Sequence, residues 1–159
     1  MRGVMTNVSS DALLVFQLGE QQFAVAVASV ERVVRAVEIA PLPEAPRGVR
    51  GVINLHGRIV PVFDLWSRLG QPSRAVRASD HFIIAQTHWR TLALLVDSVA
   101  GVVRRSDAGV TPTAEILRDT ESISGVMKLE DVLVLVHDIE RFLSIEDEAA
   151  LELALLPAP

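Results

Sequence analysis

The sequence predicts a mainly β fold, with two small five-stranded barrels packed side by side, short helices at the barrel ends and a C-terminal helix. Half of the 159 residues are hydrophobic but only 4% are aromatic, so the core must be built from Val, Leu, Ile and Ala. Such β-branched enrichment favours strands. The apolar runs are short, and turn residues separate them closely. This pattern occurs twice, and closure into barrels would remove exposed strand edges.

The hairpin Gly51–Leu65 is the clearest element. An apolar strand ends at Leu55, His56-Gly57 forms a tight turn, and a second apolar strand follows. Gly57 suits the turn because it has no Cβ and can adopt a positive φ. Pro61 has no N–H to donate, so the second strand is predicted to be an edge there or to carry a bulge.

The first part of the chain, residues 11–70, is predicted to form one barrel, after a disordered lead-in over residues 1–10. Ser29 can cap a single helical turn that presents Val30 and Val33 to the core. The other predicted elements here are strands Leu13–Leu18, Phe23–Val27 and Ala36–Ile39, and a helical turn over Leu65–Leu69.

The second part, residues 81–143, is predicted to form the other barrel, after a polar linker over Gln71–Asp80. Leu92–Val96 is apolar on both faces, which is typical of a central strand. The remaining predicted elements are strands Phe82–Ala85, Val99–Arg104, Ile123–Leu129 and Val132–His137, turns at His88–Arg90 and Glu130-Asp131, and a loop over Asp107–Thr120.

A C-terminal helix is predicted over residues 145–156. Helical spacing places Ala149, Ala150, Leu153 and Leu156 on one face. An apolar face of this kind is most often packed against the core of its own domain. We therefore expect this face to lie against the second barrel.

An internal repeat relates the two parts of the chain. Ser29–Arg35 aligns with Ser98–Arg104 at an offset of 69 residues, and Gly51–Leu65 aligns with Gly125–Ile139 at an offset of 74. One copy is too small to bury its own apolar face, so the repeat predicts two similar units packed together. Asp64 and its counterpart in the second copy each precede a helical turn, which predicts a capping role.

Charge and hydropathy disfavour two classes of partner. The net charge is −5, and the 15 basic residues are scattered along the chain, which disfavours nucleic-acid binding. The longest apolar run, Leu92–Val96, is far too short to span a bilayer. No cysteine is present, which fits a reducing compartment. A cytoplasmic protein with no direct membrane insertion is expected.

Catalytic chemistry is not apparent in the sequence. The four histidines, His56, His81, His88 and His137, show no helical spacing typical of a metal site, and no serine lies in a nucleophile-elbow context. We therefore predict no catalytic residue, no cofactor and no metal. A small metal-dependent hydrolase with its site at His137 or His56 is the alternative from another class.

The hairpin Gly51–Leu65, preceded by Pro41-Leu42-Pro43, closely resembles the signature of the CheW-like domain family of bacterial chemotaxis coupling proteins. The likeness extends from about Leu13 to the C-terminal helix. It implies a single domain over residues 1–159 with two SH3-like barrels.

The resemblance also implies a non-catalytic adaptor that couples chemoreceptors to the histidine kinase CheA. Such an adaptor binds the kinase regulatory domain and the cytoplasmic tip of the receptor, and is recruited to membrane receptor arrays. A divergent paralogue that serves a motility or developmental pathway and binds only one partner is the alternative within the family.

By this resemblance, six residues are predicted to bind partners: Val30, Arg32, Gly51, Asn54, His56 and Gly57. Two of them depart from the family pattern. The family usually has an arginine at the position of His56 and a glutamate at that of Arg32, and the two lie close together and matter for receptor contact and kinase control. Histidine lacks the forked geometry of guanidinium, so His56 beside Arg32 is predicted not to form that ion pair.

Overall fold

The structure, a computed structural model, describes residues 11–46, 48–68, 72, 74–105, 111–112, 123–141 and 145–156. The predicted lead-in 1–10 and most of the predicted loop 107–120 lie outside the described residues. The strands are β1 Ala12–Leu18, β2 Gln21–Ala26, β3 Val30–Arg35, β4 Val49–Leu55, β5 Arg58–Phe63, β6 His81–Gln86, β7 Thr91–Val96, β8 Ser98–Arg104, β9 Thr111–Pro112, β10 Ile123–Leu129 and β11 Val132–His137. The helices are α1 Leu65–Arg68 and α2 Ile145–Ala154, with 3₁₀ turns at Val27–Ser29 and Ile139–Arg141.

These strands form two sheets, which confirms the mainly β fold. Sheet A has the order β8-β1-β2-β11-β10-β9, and sheet B has the order β3-β6-β7-β5-β4. β7 lies inside sheet B, as the apolar faces of Leu92–Val96 predict. Among the described strands, the hydrogen-bonded ladders do not close into barrels.

The two sheets do not follow the predicted division of the chain at 11–70 and 81–143. Sheet A combines the hairpin β1–β2 with β8, β9, β10 and β11. Sheet B combines the hairpin β6–β7 with β3, β4 and β5. Each sheet therefore takes its first hairpin from one copy of the repeat and its other strands from the other copy. A repeat predicts two similar units, but similarity alone cannot say which copy supplies each hairpin.

Register supports the repeat at the level of single residues. The β4–β5 ladder shifts register between Val49 and Gly51, and the β10–β11 ladder shifts between Ile123 and Gly125. Each hairpin then continues through a parallel ladder, from β5 to β7 and from β11 to β2. The ladder between β5 and β7 begins at Val62, so Pro61 lies on a part of β5 that pairs only with β4. This local edge confirms the prediction for Pro61.

Three hydrophobic clusters form the core. The largest lies between the sheets and includes Phe16, Phe63 and Leu94, and each sheet has a further cluster on its other face. Alternate residues of β7 point to different clusters: Leu94 belongs to the shared one, and Ala93 and Leu95 belong to that of sheet B. The central strands are therefore buried on both faces.

The helical turn predicted from Ser29 is wrong. Ser29 ends a 3₁₀ turn, and Val30–Arg35 is a strand that pairs antiparallel with β6. Two consecutive valines and the pairing with β6 favour the extended backbone. The strand predicted over Ala36–Ile39 is also wrong, since this segment leads only to an isolated bridge between Ala40 and Val52.

The C-terminal helix is confirmed, but its predicted buried face is wrong. Leu151 is buried in the shared core, and Leu155 packs against the same cluster. Leu153, by contrast, is 70% exposed. Arg90 donates to Glu148 at 2.5 Å and to Glu152 at 2.9 Å. These ion pairs orient α2 so that Leu151, rather than Leu153, faces the core.

Candidate partner-binding surfaces

The turn of the hairpin β4–β5 presents His56 to solvent. His56 and Gly57 both have positive φ, 51° and 87°, as a type I′ turn requires. The Gly57 N–H donates to Oδ1 of Asn54 at 2.8 Å. Asn54 thus holds the turn, while the His56 side chain is exposed.

An ion pair connects β3 with the start of β5. Nη2 of Arg58 lies 2.7 Å from Oε2 of Glu31, and the Arg32 Nε lies 3.8 Å from the same oxygen. All three side chains are between about a third and a half exposed. Glu31 therefore lies between two arginines at the surface of sheet B.

Two apolar side chains adjoin this ion pair in sequence. Val33 on β3 and Ile59 on β5 are both exposed. We call Glu31, Arg32, Val33, Arg58 and Ile59 the charged face. It combines an acidic centre, two basic side chains and apolar surface.

Gly51 lies beneath the surface and has a packing role. Its φ is +150°, and a Cβ added there would lie 2.2 Å from the carbonyl oxygen of Ala40. Ala40 and Val52 exchange backbone hydrogen bonds of 2.8 Å, which fix this close approach. Only glycine accommodates both the backbone angle and the neighbouring carbonyl. Val30 is half-buried and packs against the shared core.

Of the six predicted partner-binding residues, four are therefore exposed: Arg32, Asn54, His56 and Gly57. Val30 and Gly51 shape the fold beneath them. The sequence reasoning did not identify Arg58 and Ile59, although Arg58 is a charged residue directly after the predicted turn. This position next to the turn could have identified Arg58 from the sequence.

Sheet A carries exposed residues at the equivalent repeat positions, with different chemistry. The repeat offsets place Ala100 and Val102 at the positions of Glu31 and Val33, and Val132 and Leu133 at those of Arg58 and Ile59. All four are exposed, Val102 and Leu133 by about 60%. We call Ala100, Val102, Val132 and Leu133 the apolar face.

A charge cluster joins the two sheets and corrects the prediction that Gln71–Asp80 is a linker. Arg74 pairs with Asp80, which is fully buried, and also with Asp97. Oδ2 of Asp97 accepts the Gly19 N–H at 2.7 Å, from the turn between β1 and β2. Burial opposes ionisation of Asp80, but hydrogen bonds from Arg74 and from the Arg77 N–H hold its pKa below the usual value. A polar sequence can mark buried ion pairs as well as a linker.

A surface pocket of about 440 Å³ lies close to this cluster. Ala36–Ile39, Arg50 and Val76–Ala78 line it. The predicted partner-binding residues are not among those lining residues. Arg50 spans from the Asp64 carboxylate, at 3.0 Å, to the Arg74 carbonyl, at 2.9 Å.

The two histidines considered for a metal site lie in different sheets. His56 is exposed on the turn of sheet B, whereas His137 is buried at the end of β11, 5.0 Å from the ring of Phe23 between centroids. Within the described ranges, no three His, Cys, Asp or Glu residues could together hold a metal ion.

The sequence profile of the CheW-like domain family matches residues 12–147, nearly the whole chain. The chain belongs to the CheW-like domain family. Its function is accordingly that of a non-catalytic adaptor in bacterial chemotaxis, and its partners are chemotaxis signalling proteins.

Individual relatives agree with this family. The chain is 34% identical over 141 residues to the chemotaxis protein CheW of Rhizobium meliloti (strain 1021), covering 87% of this chain and 91% of that protein. It is 31% identical over 147 residues to the probable chemotaxis protein CheW of Rhizobium etli, covering 91% and 95%. The crystal structure of the scaffolding protein TtCheW from Thermoanaerobacter tengcongensis superposes with a TM-score of 0.76 at 27% identity, covering 87% of this chain and 95% of that one.

Among the described residues of this CheW-like chain, no helix combines the length and hydropathy needed to cross a bilayer.

Proposed function

We propose that this CheW-like protein couples the cytoplasmic tip of a chemoreceptor to the regulatory domain of the histidine kinase CheA. It does so in the cytoplasm, at receptor arrays in the membrane. The receptor binds at the charged face and the adjoining hairpin turn, and the kinase binds at the apolar face. Neither interaction requires catalysis by this chain.

Receptor binding at the charged face is supported by its position and chemistry. Glu31 and Arg58 supply opposite charges, and Val33 and Ile59 on the same two strands are exposed. A helix recognised by its side chains presents apolar and charged groups at regular spacing, and this face offers a complement to both. Arg32 and His56 would contact the receptor directly, while Val30, Gly51, Asn54 and Gly57 hold the backbone in place.

Kinase binding at the apolar face is supported by exposure. All four side chains are apolar and exposed, and apolar groups left exposed in a patch are typical of protein-binding surfaces. Val102 lies on β8, an edge strand of sheet A, and Leu133 is the second residue of β11. A specific interface buries about 1,600 Å² in total, so it would extend beyond these four side chains.

The observation that carries the proposal is the contrast between two equivalent surfaces. The repeat places these positions on corresponding strands of the two sheets, yet sheet B has Glu31 and Arg58 where sheet A has Ala100 and Val132. Backbone geometry does not demand this difference, because both sets of side chains are exposed. Two dissimilar partners account for it.

Pull-down with purified fragments tests the proposal. The chain is expected to retain both the CheA regulatory domain and a receptor cytoplasmic fragment. Retention of one partner only would favour the paralogue alternative, and retention of neither would contradict the proposed coupling.

The departures at Arg32 and His56 can be tested by reversing them. The double variant Arg32→Glu with His56→Arg restores the family's charge arrangement. It is expected to bind a receptor fragment from a typical CheW system more tightly than the wild-type chain does. Equal affinity of the two proteins would show that these departures do not affect receptor choice.

A further inference from the structure

Among the described strands, neither half of the chain forms a sheet of more than three strands by itself. Let the first half be residues 11–68 and the second half residues 74–156. Within a half, the described ladders join hairpin partners, apart from the short ladder between β9 and β10. The remaining ladders join the halves: β1 with β8, β2 with β11, β3 with β6, and β5 with β7.

Side-chain and turn contacts also cross between the halves. The Gly19 N–H donates to Asp97, and Nε2 of Gln21 donates to the Leu133 carbonyl at 3.0 Å. The shared hydrophobic cluster likewise takes Phe16 and Phe63 from the first half and Leu94 from the second. These contacts would be identical if the two halves belonged to different chains.

The covalent connection between the halves is the segment 69–73. From these observations we propose that the chain can exchange halves with a second copy of itself. In the resulting dimer, each sheet takes its first hairpin from one chain and its other strands from the other chain. The partner surface is thus the whole set of ladders between the halves.

The exchange requires no new interface. A monomer and an exchanged dimer contain the same ladders, so domain swapping costs little beyond the entropy of association. The connection decides between the monomer and the dimer. A connection that spans the gap gives the two halves of one chain a high effective concentration for each other, and one that cannot span it gives almost none. The monomer is therefore favoured by the natural connection, and the dimer by a shortened one.

Deletion of residues 69–73 tests this. The deletion joins Arg68 directly to Arg74, so that one peptide link replaces the six that connect them in the natural chain. One peptide link spans only about 3.8 Å between Cα atoms. The shortened chain is expected to sediment as a dimer with a native β circular dichroism spectrum. A control that inserts five Gly/Ser residues at the same place should be monomeric.

A disulfide between introduced cysteines shows which strands meet in that dimer. The natural chain contains no cysteine, so only the introduced cysteines can pair. Arg35 and His81 are register partners in the ladder between β3 and β6, and facing residues of antiparallel strands approach disulfide distance. Shortened chains carrying Arg35→Cys, mixed during refolding with shortened chains carrying His81→Cys, are expected to form a disulfide between the two chains. The matched control uses Lys128→Cys and Leu133→Cys, register partners within one half, and should give no such disulfide.

A folded monomer after the deletion would overturn the proposal. So would a dimer in which the Arg35→Cys and His81→Cys chains do not pair, because association would then use another surface. Failure of the shortened chain to fold at any protein concentration would also overturn it, since the proposal requires that a second chain can supply the missing half.

Discussion

Glu31 and Arg58 form an ion pair of 2.7 Å that connects β3 with the start of β5. The resemblance to the family predicts a charged pair between the positions of Arg32 and His56. In this chain the acidic residue of the pair comes one position before Arg32. The basic residue comes two positions after His56. The surface thus retains an ion pair although both predicted positions depart from the family.

Removing this pair should affect receptor binding more than stability. Glu31→Gln and Arg58→Gln are each expected to change the free energy of unfolding by less than about 1 kcal/mol, because both side chains are well exposed. If the charged face binds the receptor, each should weaken binding of a receptor fragment by about tenfold or more. Denaturant titration and calorimetric titration measure the two effects.

Arg141→Gln provides a matched control, because Arg141 forms an exposed ion pair with Asp138 outside both proposed faces. It should leave receptor affinity unchanged. Full receptor affinity in the Glu31→Gln and Arg58→Gln variants would remove the charged face from the proposal.

Gly51→Ala is expected to destabilise the fold strongly. Its Cβ would meet the Ala40 carbonyl oxygen at 2.2 Å, which forces the backbone of β4 away from the bridge. Gly101 has nearly the same φ, +146°, but nothing lies within 4 Å of an added Cβ. We expect Gly101→Ala to cost about 1–3 kcal/mol from backbone strain and Gly51→Ala to cost clearly more. Urea unfolding of both variants measures the difference, and equal costs would contradict the steric role of Ala40.

Asp80 makes stability depend on pH in the acid range. Its folded pKa lies below the value of 3.8 expected when unfolded, so the unfolded state binds the proton more readily. Its contribution is therefore complete above about pH 5 and is lost as the pH falls through the lowered folded pKa. Asp80→Asn should lower stability at pH 7 by roughly 2–4 kcal/mol, because Arg74 loses its buried partner.

The variant should also lose less stability than wild type between pH 5 and pH 2.5. Urea midpoints across this range are the measurement, with Asp131→Asn as the control at an exposed turn position. If the urea midpoints of wild type and of Asp80→Asn change with pH at the same slope, then Asp80 does not couple folding to proton binding.

Local pattern predicted the hairpins, the central position of β7 and the edge-like Pro61, because alternation and turn chemistry are local properties. The exchange of hairpins between the repeat copies was not predictable in that way. It depends on pairings between residues far apart in sequence, such as Val33 with Ile83. Sequence similarity between the copies is the same in either arrangement.

The error at β3 shows where a local rule failed. Ser29 is a good helix cap, and that rule predicted a helical turn for residues 29–34. The aligned residues of the second copy, Val99–Arg104, were predicted to be extended, and both segments are strands. Comparing the two copies would have favoured the strand, since a repeat should repeat its structure.

The candidate surfaces were predictable in part. Asn54, His56 and Gly57 follow from the turn itself. Arg58 and the apolar face did not, because the exposure of Val102 or Leu133 depends on which strands cover them. An apolar residue in a strand is usually assigned to a core, and only the exposed fractions of these two side chains in the folded chain show that they remain uncovered.

The central claim is that one chain carries two independent partner surfaces. It is tested most directly by measuring both affinities for two double variants, Glu31→Gln/Arg58→Gln and Val102→Ser/Leu133→Ser, with CheA regulatory domain and receptor fragment in separate titrations. The first variant is expected to lose receptor binding and keep kinase binding, and the second is expected to do the opposite. Folded variants that each lose both partners, or that lose neither, would contradict it.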